Sequence, residues 1–231
     1  MPLHILPVRS AGAAENMALD FLLLQRYPDA GMPRFRHYEW QRPAFTFGFS
    51  QKIEFVRAHV PAGLELCRRP TGGGIVDHRQ DWTYSLVLPR GHPLADARAT
   101  ESYRVVHEAL AAALAALGLP AEVKRACDPC ESGPGICFQR AELHDVENPR
   151  TGAKIAGAAQ KRNRHGLLFQ GSIEKSAVGA ADWDAFAARF TAGLAHLLGG
   201  GADPVPWPAL NENEVEGLIE QYSAPEWLAY R

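Results

Sequence analysis

Three consecutive glycines, Gly72, Gly73 and Gly74, separate two strand-like runs at residues 64–69 and 82–88. A glycine triplet loses too much backbone entropy to sit comfortably inside a helix or a strand, so the chain loops here between strands. Elsewhere helix-period and strand-period segments alternate along the 231 residues, the pattern of a mixed α+β domain. Asn16 is placed to cap a first helix whose apolar side is Met17, Leu19, Leu22, Leu23 and Leu24, and Pro28 stops it. Residues 34–38 and 44–49 read as strands, with Phe45, Phe47 and Phe49 alternating onto one face. Thr100 is placed to cap a long helix to about Leu117, and Asp182 a second one carrying Phe186, Phe190 and Leu194. Residues 122–134 read as a loop. Residues 142–147 and 154–160 read as a hairpin around Asn148-Pro149-Arg150-Thr151-Gly152, with 167–173 as the next strand and 212–222 as a last helix.

Charge and composition exclude several classes. With 24 basic and 26 acidic residues the formal net charge is −2, which lacks the basic excess of a general nucleic-acid binder or a polybasic membrane-surface protein. No run approaches the roughly 18 apolar residues of a membrane span, and Met1-Pro2-Leu3-His4 has no basic start of a signal peptide. The expectation is a cytoplasmic protein with no nucleic-acid or membrane partner. Four cysteines in this length do not make a disulfide scaffold and fit a reducing compartment.

Four features carry chemistry. Arg68 and Arg69 precede the triplet and supply donors suited to phosphate or carboxylate, while the glycines let backbone N–H groups approach a ligand. The spacing matches neither a Walker A loop nor a dinucleotide fingerprint, and a plain tight turn is the competing reading. His78 lies among polar neighbours and reads equally as a site residue or a surface histidine. Lys154 opens a strand of small residues, Gly157, Ala158 and Ala159, against which something flat can lie. Losing hydration there would suit this lysine to proton transfer, whereas an exposed strand end would leave it ordinary. Cys137 reads as a nucleophile or as a packed thiol. Cys127, Cys130, Cys137 and His144 also offer a zinc-type ligand set with an irregular second pair. Cys67, inside a strand, reads as core.

Taken in order, these segments resemble the biotin/lipoate protein ligase and octanoyltransferase family. The resemblance rests on Asn16-Met17-Ala18-Leu19-Asp20, on Arg68 through His78 with Asp81-Trp82-Thr83-Tyr84-Ser85, on Gly152 through Gln160, on Leu168-Phe169-Gln170-Gly171-Ser172-Ile173, and on Glu226-Trp227. It implies an α+β fold with a central mixed, largely antiparallel sheet flanked by helices. It also implies one catalytic domain over 1–231, without the accessory C-terminal domain of many ligases. Cys137-Phe138 resembles the octanoyltransferase branch, in which that cysteine carries the acyl group. The implied catalytic residues are Cys137 and Lys154. The implied substrate-binding residues are Arg69, Thr71, Gly72, Gly73, Gly74, His78, Gly157, Ala158 and Ala159, with no metal and no cofactor. The implied donor is octanoyl-acyl carrier protein. The implied acceptor is a lipoyl domain such as glycine cleavage H protein or a 2-oxoacid dehydrogenase E2. An ATP-dependent lipoate–protein ligase, using ATP and Mg, is the alternative; a non-catalytic member that binds a lipoyl domain or zinc is another. Phe45, Phe47, Phe49 and Ile75 are candidates for an acyl tunnel, against ordinary core packing.

Overall fold

The computed structural model describes residues 1–126 and 141–230. The chain opens with β1 (Leu3–Ile5), β2 (Arg9–Ala11), helix α1 (Ala13–Gln25), β3 (Arg34–Trp40) and β4 (Ala44–Phe47). Helix α2 (Ile53–His59) leads into β5 (Glu65–Arg68), β6 (Ile75–Asp77) and the long β7 (Asp81–Pro89). Then come α3 (Pro93–Asp96), α4 (Ala99–Ala115), β8 (Glu122–Val123), β9 (Val146–Glu147), β10 (Lys154–Asn163) and β11 (Gly166–Glu174). Last are α5 (Lys175–Val178), α6 (Trp183–Leu197), β12 (Ala202–Pro204), α7 (Glu212–Ser223) and α8 (Pro225–Leu228).

Two sheets organise these elements. The larger runs β12-β1-β3-β7-β11-β10-β9-β8, with β2 also paired to β3. From β3 to β8 every pairing is antiparallel, while β1 and β2 join in parallel. This is the mixed, largely antiparallel sheet that the sequence implies. A smaller sheet, β5-β4-β6, was not part of that expectation.

Helices α4 and α6 cover one face of the large sheet. Trp82, Tyr84, Leu86 and Phe169 from the strands meet Val106, Leu110, Phe186 and Phe190 from the helices there. Burying each such side chain contributes about 1.5–3 kcal/mol. Helix α1 lies against β7 and β11, and α7 packs on α1. Among the described residues, no helix is long and apolar enough to cross a membrane.

Several boundaries differ from the sequence reading. Helix α1 starts from Gly12, and Asn16 is not its cap. Asn16 is wholly buried a turn inside, where its amide donates to the carbonyls of Ala11 and Glu39. Helix α4 follows Arg98, so Thr100 falls within its first turn. Only Val146–Glu147 of the expected 142–147 strand pairs with β10, because Glu142 and Asp145 close a turn on each other. Asp182 does cap α6, accepting from the Ala185 N–H. Phe45, Phe47 and Ile75 pack with Ile53 and Val56 as a separate core, so they are not a tunnel wall.

Candidate functional site

The two-residue period of a strand assembles the site. Gly157 pairs with Ser172, Ser172 with Thr83 and Thr83 with Tyr38, making one row across β10, β11, β7 and β3. Ala159 and Gln170 continue the same face one step along. From the small sheet, Thr46 pairs with Val76, and His78 follows two residues later. Their neighbours Phe45, Phe47 and Ile75 turn the other way into core. Between the two sheets lies a pocket lined also by Met17, Arg69 and Gly73. Six residues singled out from the sequence meet in it: Arg69, Gly73, His78, Gly157, Ala158 and Ala159.

The remaining loop residues support it. Arg69 Nη2 donates to the carbonyls of Gly72 (2.8 Å) and Gly74 (3.0 Å). Thr71 Oγ1 donates to Gln170 Oε1 at 2.7 Å, and Gln170 Nε2 donates to Asp20 Oδ2 at 2.6 Å. The end of β4 comes so close that a Cβ on Gly48 would fall 2.0 Å from the Gly73 carbonyl oxygen. Glycine at 48 is what lets the two loops touch. Gly73 itself has φ +89, a conformation side chains disfavour.

The pocket's polar side chains are largely satisfied by one another. The buried Asp20 carboxylate accepts from Arg36, Tyr38, Ser85 and Gln170. Burial, then the adjacent Asp20 charge, raises the Tyr38 pKa well above the usual phenol range, so Tyr38 stays a neutral donor. Asp81 Oδ2 accepts from His78 (2.6 Å), Thr83 (2.7 Å) and Ser172. Burial alone would raise the Asp81 pKa, but its electrostatic interaction with His78 and these hydrogen bonds outweigh it and lower the pKa. Asp81 Oδ1 is left without a partner, but the other hydrogen bonds of these clusters are made internally, so the pocket lining is mostly carbon and suits an apolar chain.

Lys154 is neither exposed nor ordinary. Its side chain is 4% exposed and its Nζ lies 2.7 Å from Asp145 Oδ2. A Cβ on Gly157 would fall 2.8 Å from both Cε and Nζ of Lys154, so the amine borders the pocket wall. His107, wholly buried, holds the His144 carbonyl through Nδ1 at 2.5 Å and thereby the turn that carries Asp145. Burial lowers the His107 pKa, so it is neutral in that role. Cys137, Cys127 and Cys130 lie outside the described residues. Among the described residues, no group of three His, Cys, Asp or Glu could hold a metal.

Cys67 is core, as the sequence suggests. It is 1% exposed, and burial pushes its thiol pKa up to about 12. A thiol alkylating reagent at neutral pH is expected to leave Cys67 unmodified in the folded chain and to label it after denaturation. Peptide mass mapping reads this directly.

Sequence reasoning missed Thr46, Asp20, Gln170 and Asp145 as parts of this site. Thr46 had a usable signal, since alternation with Phe45 and Phe47 sends it to the opposite face of β4. Asp20 and Gln170 meet each other across 150 residues of sequence, and Asp145 finds Lys154 only through the turn between them.

Comparison with known proteins agrees with the geometry. A family model, the lipoyl protein ligase A/B catalytic domain, matches residues 12–177. The chain is 34% identical over 170 residues to octanoyltransferase LipM of Anoxybacillus flavithermus, covering 69% of this chain and 60% of that protein. It is 30% identical to octanoyltransferase LipM of Macrococcus caseolyticus, covering 94% of each. The chain thus spans about 60% of the length of the Anoxybacillus relative. Two solved structures share the fold. One is the bi-partite lipoate protein ligase of Thermoplasma acidophilum, with TM-score 0.76 and 21% identity over 99% of this chain and 96% of that one. The other is a lipoate-protein ligase A bound with ATP, with TM-score 0.75 and 19% identity over 99% and 98%. The ordered motifs, the two-sheet pocket and the match over residues 12–177 lead to one assignment: this chain belongs to the lipoyl protein ligase A/B catalytic-domain family.

Proposed function

We propose that this chain is an acyltransferase that moves an octanoyl group from acyl carrier protein to a lysine of a lipoyl domain, through a thioester on Cys137. The observation that carries this reading is the pocket whose polar groups largely satisfy one another and whose wall borders the Lys154 amine. A hydrocarbon chain suits the pocket, and reaction at one end suits the amine. The relatives named octanoyltransferase support the same reading. The Thermoplasma ligase, described with its E2 lipoyl domain, supports a lipoyl domain as acceptor.

The chemistry runs in two steps. The Cys137 thiolate attacks the donor thioester carbonyl. A new C–S bond forms as the bond to the carrier sulfur breaks, and the carrier leaves as a thiol. The acceptor lysine amine then attacks the Cys137 thioester, giving an amide and returning the cysteine. Exchange between thioesters is nearly isoenergetic, and amide formation from a thioester is downhill, so no nucleotide is required. Lys154 stabilises the thiolate and carries protons between the exchanging sulfurs. Backbone N–H groups of the glycine loop or of β10 would hold the developing oxyanion, worth about 3–4 kcal/mol per good donor. The chain contributes about 0.8 kcal/mol per buried methylene, which gives length selectivity.

The test is intact-mass measurement after mixing the protein with octanoyl-carrier protein and no ATP. The expected result is a gain of one octanoyl group, mapped to the peptide holding Cys137 and discharged by a lipoyl domain. Transfer that needs ATP and leaves no acyl-protein would replace this reading with that of a lipoate–protein ligase.

A further inference from the structure

We infer that Thr46, His78 and Asp81 form a positioning chain that fixes Arg69, and through it the glycine loop, at the acyl pocket. The kinetic part of this inference rests on the acyl-transfer reading above.

Donor inventory fixes the two ends of this chain. Arg69 has only N–H donors, so its Nη1 donates to Thr46 Oγ1 at 2.8 Å. The threonine's own hydrogen points elsewhere, and His78 Nε2 lies 2.7 Å away. His78 Nδ1 lies 2.6 Å from Asp81 Oδ2. That oxygen belongs to a carboxylate already accepting from Thr83 and Ser172, so Nδ1 carries a proton and donates to it, while Nε2 shares a hydrogen bond with Thr46 Oγ1. Trp40 stacks on the imidazole with centroids 4.0 Å apart and interplanar angle 23°, and its indole N–H donates to Thr83 Oγ1. The ring therefore has one orientation. Hydrogen bonds thus link Arg69, Thr46, His78 and Asp81 in one unbroken line.

At its other end Arg69 holds the Gly72 and Gly74 carbonyls. Peptide units are planar, so fixing these two carbonyls also fixes the N–H groups of Gly73 and Ile75. Glycines without such a tie sample a wide conformational range. Thr46 is 0% exposed, His78 7% and Asp81 8%, so water does not compete for these bonds. The chain thus converts a floppy triplet into a set surface, with Thr46 as the joint between the loop arginine and the histidine–carboxylate pair.

Thr46→Val keeps the shape and the strand preference of the residue and deletes the joint. Hydrogen exchange of the ligand-free protein over residues 69–77 is expected to accelerate about tenfold in Thr46→Val and to stay at the wild-type rate in Thr46→Ser. In the transfer assay, Thr46→Val is expected to raise KM for octanoyl-carrier protein about tenfold with kcat little changed, and Thr46→Ser to restore it. Adding Thr46→Val to Arg69→Lys is expected to cost nothing further, because both break one chain. Unchanged exchange in Thr46→Val, or full additivity with Arg69→Lys, overturns the inference. So does faster exchange with an unchanged KM. A wild-type protein that transfers no octanoyl group sinks the acyl-transfer reading instead, and the exchange data still decide whether the chain of bonds holds the loop.

Discussion

Cys137→Ala is expected to abolish octanoyl transfer, by at least about a thousandfold, while leaving the thermal unfolding temperature close to that of the wild type. The size follows from the chemistry. Without the thiolate, the donor thioester and the acceptor lysine must react in a single encounter, and the pocket supplies only binding and oxyanion stabilisation. Cys137→Ser keeps a hydroxyl that is far less ionised than a thiol, so it is expected to be nearly as inactive. It would trap an ester that discharges slowly. Intact mass and a gel-shift assay on a lipoyl domain measure the two effects. Transfer persisting within a few-fold of wild type in Cys137→Ala would remove the acyl-enzyme from the scheme and leave direct transfer or an adenylate route.

Lys154→Ala is expected to lower kcat/KM by about 10²–10⁴, the range typical of a lost general acid–base. Lys154→Arg separates charge from proton transfer. Arginine keeps a cation opposite Asp145 but does not release a proton at neutral pH, and its wider head meets the narrow space beside Gly157. It is therefore expected to lose activity about as completely as alanine and to lower the unfolding temperature modestly. Asp145→Asn deletes the counter-charge of a nearly buried ammonium. Breaking such a pair by removing one partner costs about 3–5 kcal/mol, so a lowered unfolding temperature should accompany its loss of rate. Stopped-flow measurement of acyl loading and of discharge to the lipoyl domain resolves both steps. An unimpaired Lys154→Arg enzyme would reduce Lys154 to a fixed positive charge.

What could be read from the chain follows the range of the interactions involved. Alternation along β7 and β11, and the Asp182 cap of α6, are local and were visible. The glycine loop and the small-residue strand were visible because backbone approach demands particular residues at particular places. Asn16 misled for the opposite reason. Its type suits a helix start, but its amide is needed by Ala11 and Glu39, and its carbonyl oxygen accepts from Arg36. Strands β1, β2, β6 and β12 are three residues each. Only partners supplied from elsewhere make them strands. The Asp20 cluster belongs to the same class, since Gln170 reaches Asp20 across 150 residues of sequence.

Arg68 offers a different consequence. Its guanidinium donates to the carbonyls of Phe49, Gln51, Trp227 and Leu228, and the Trp227 indole N–H returns a bond to the Arg68 carbonyl. Three of these contacts rivet α8 to the strand that leads into the glycine loop, two more tie in the segment after β4, and every acceptor is an uncharged amide dipole. Mobile ions have little to screen in such a junction. The rivet should therefore hold through swings in electrolyte that would slacken a solvent-facing pair such as Arg104 with Glu108, which makes this corner of the molecule an ionic-strength-blind anchor for the loop.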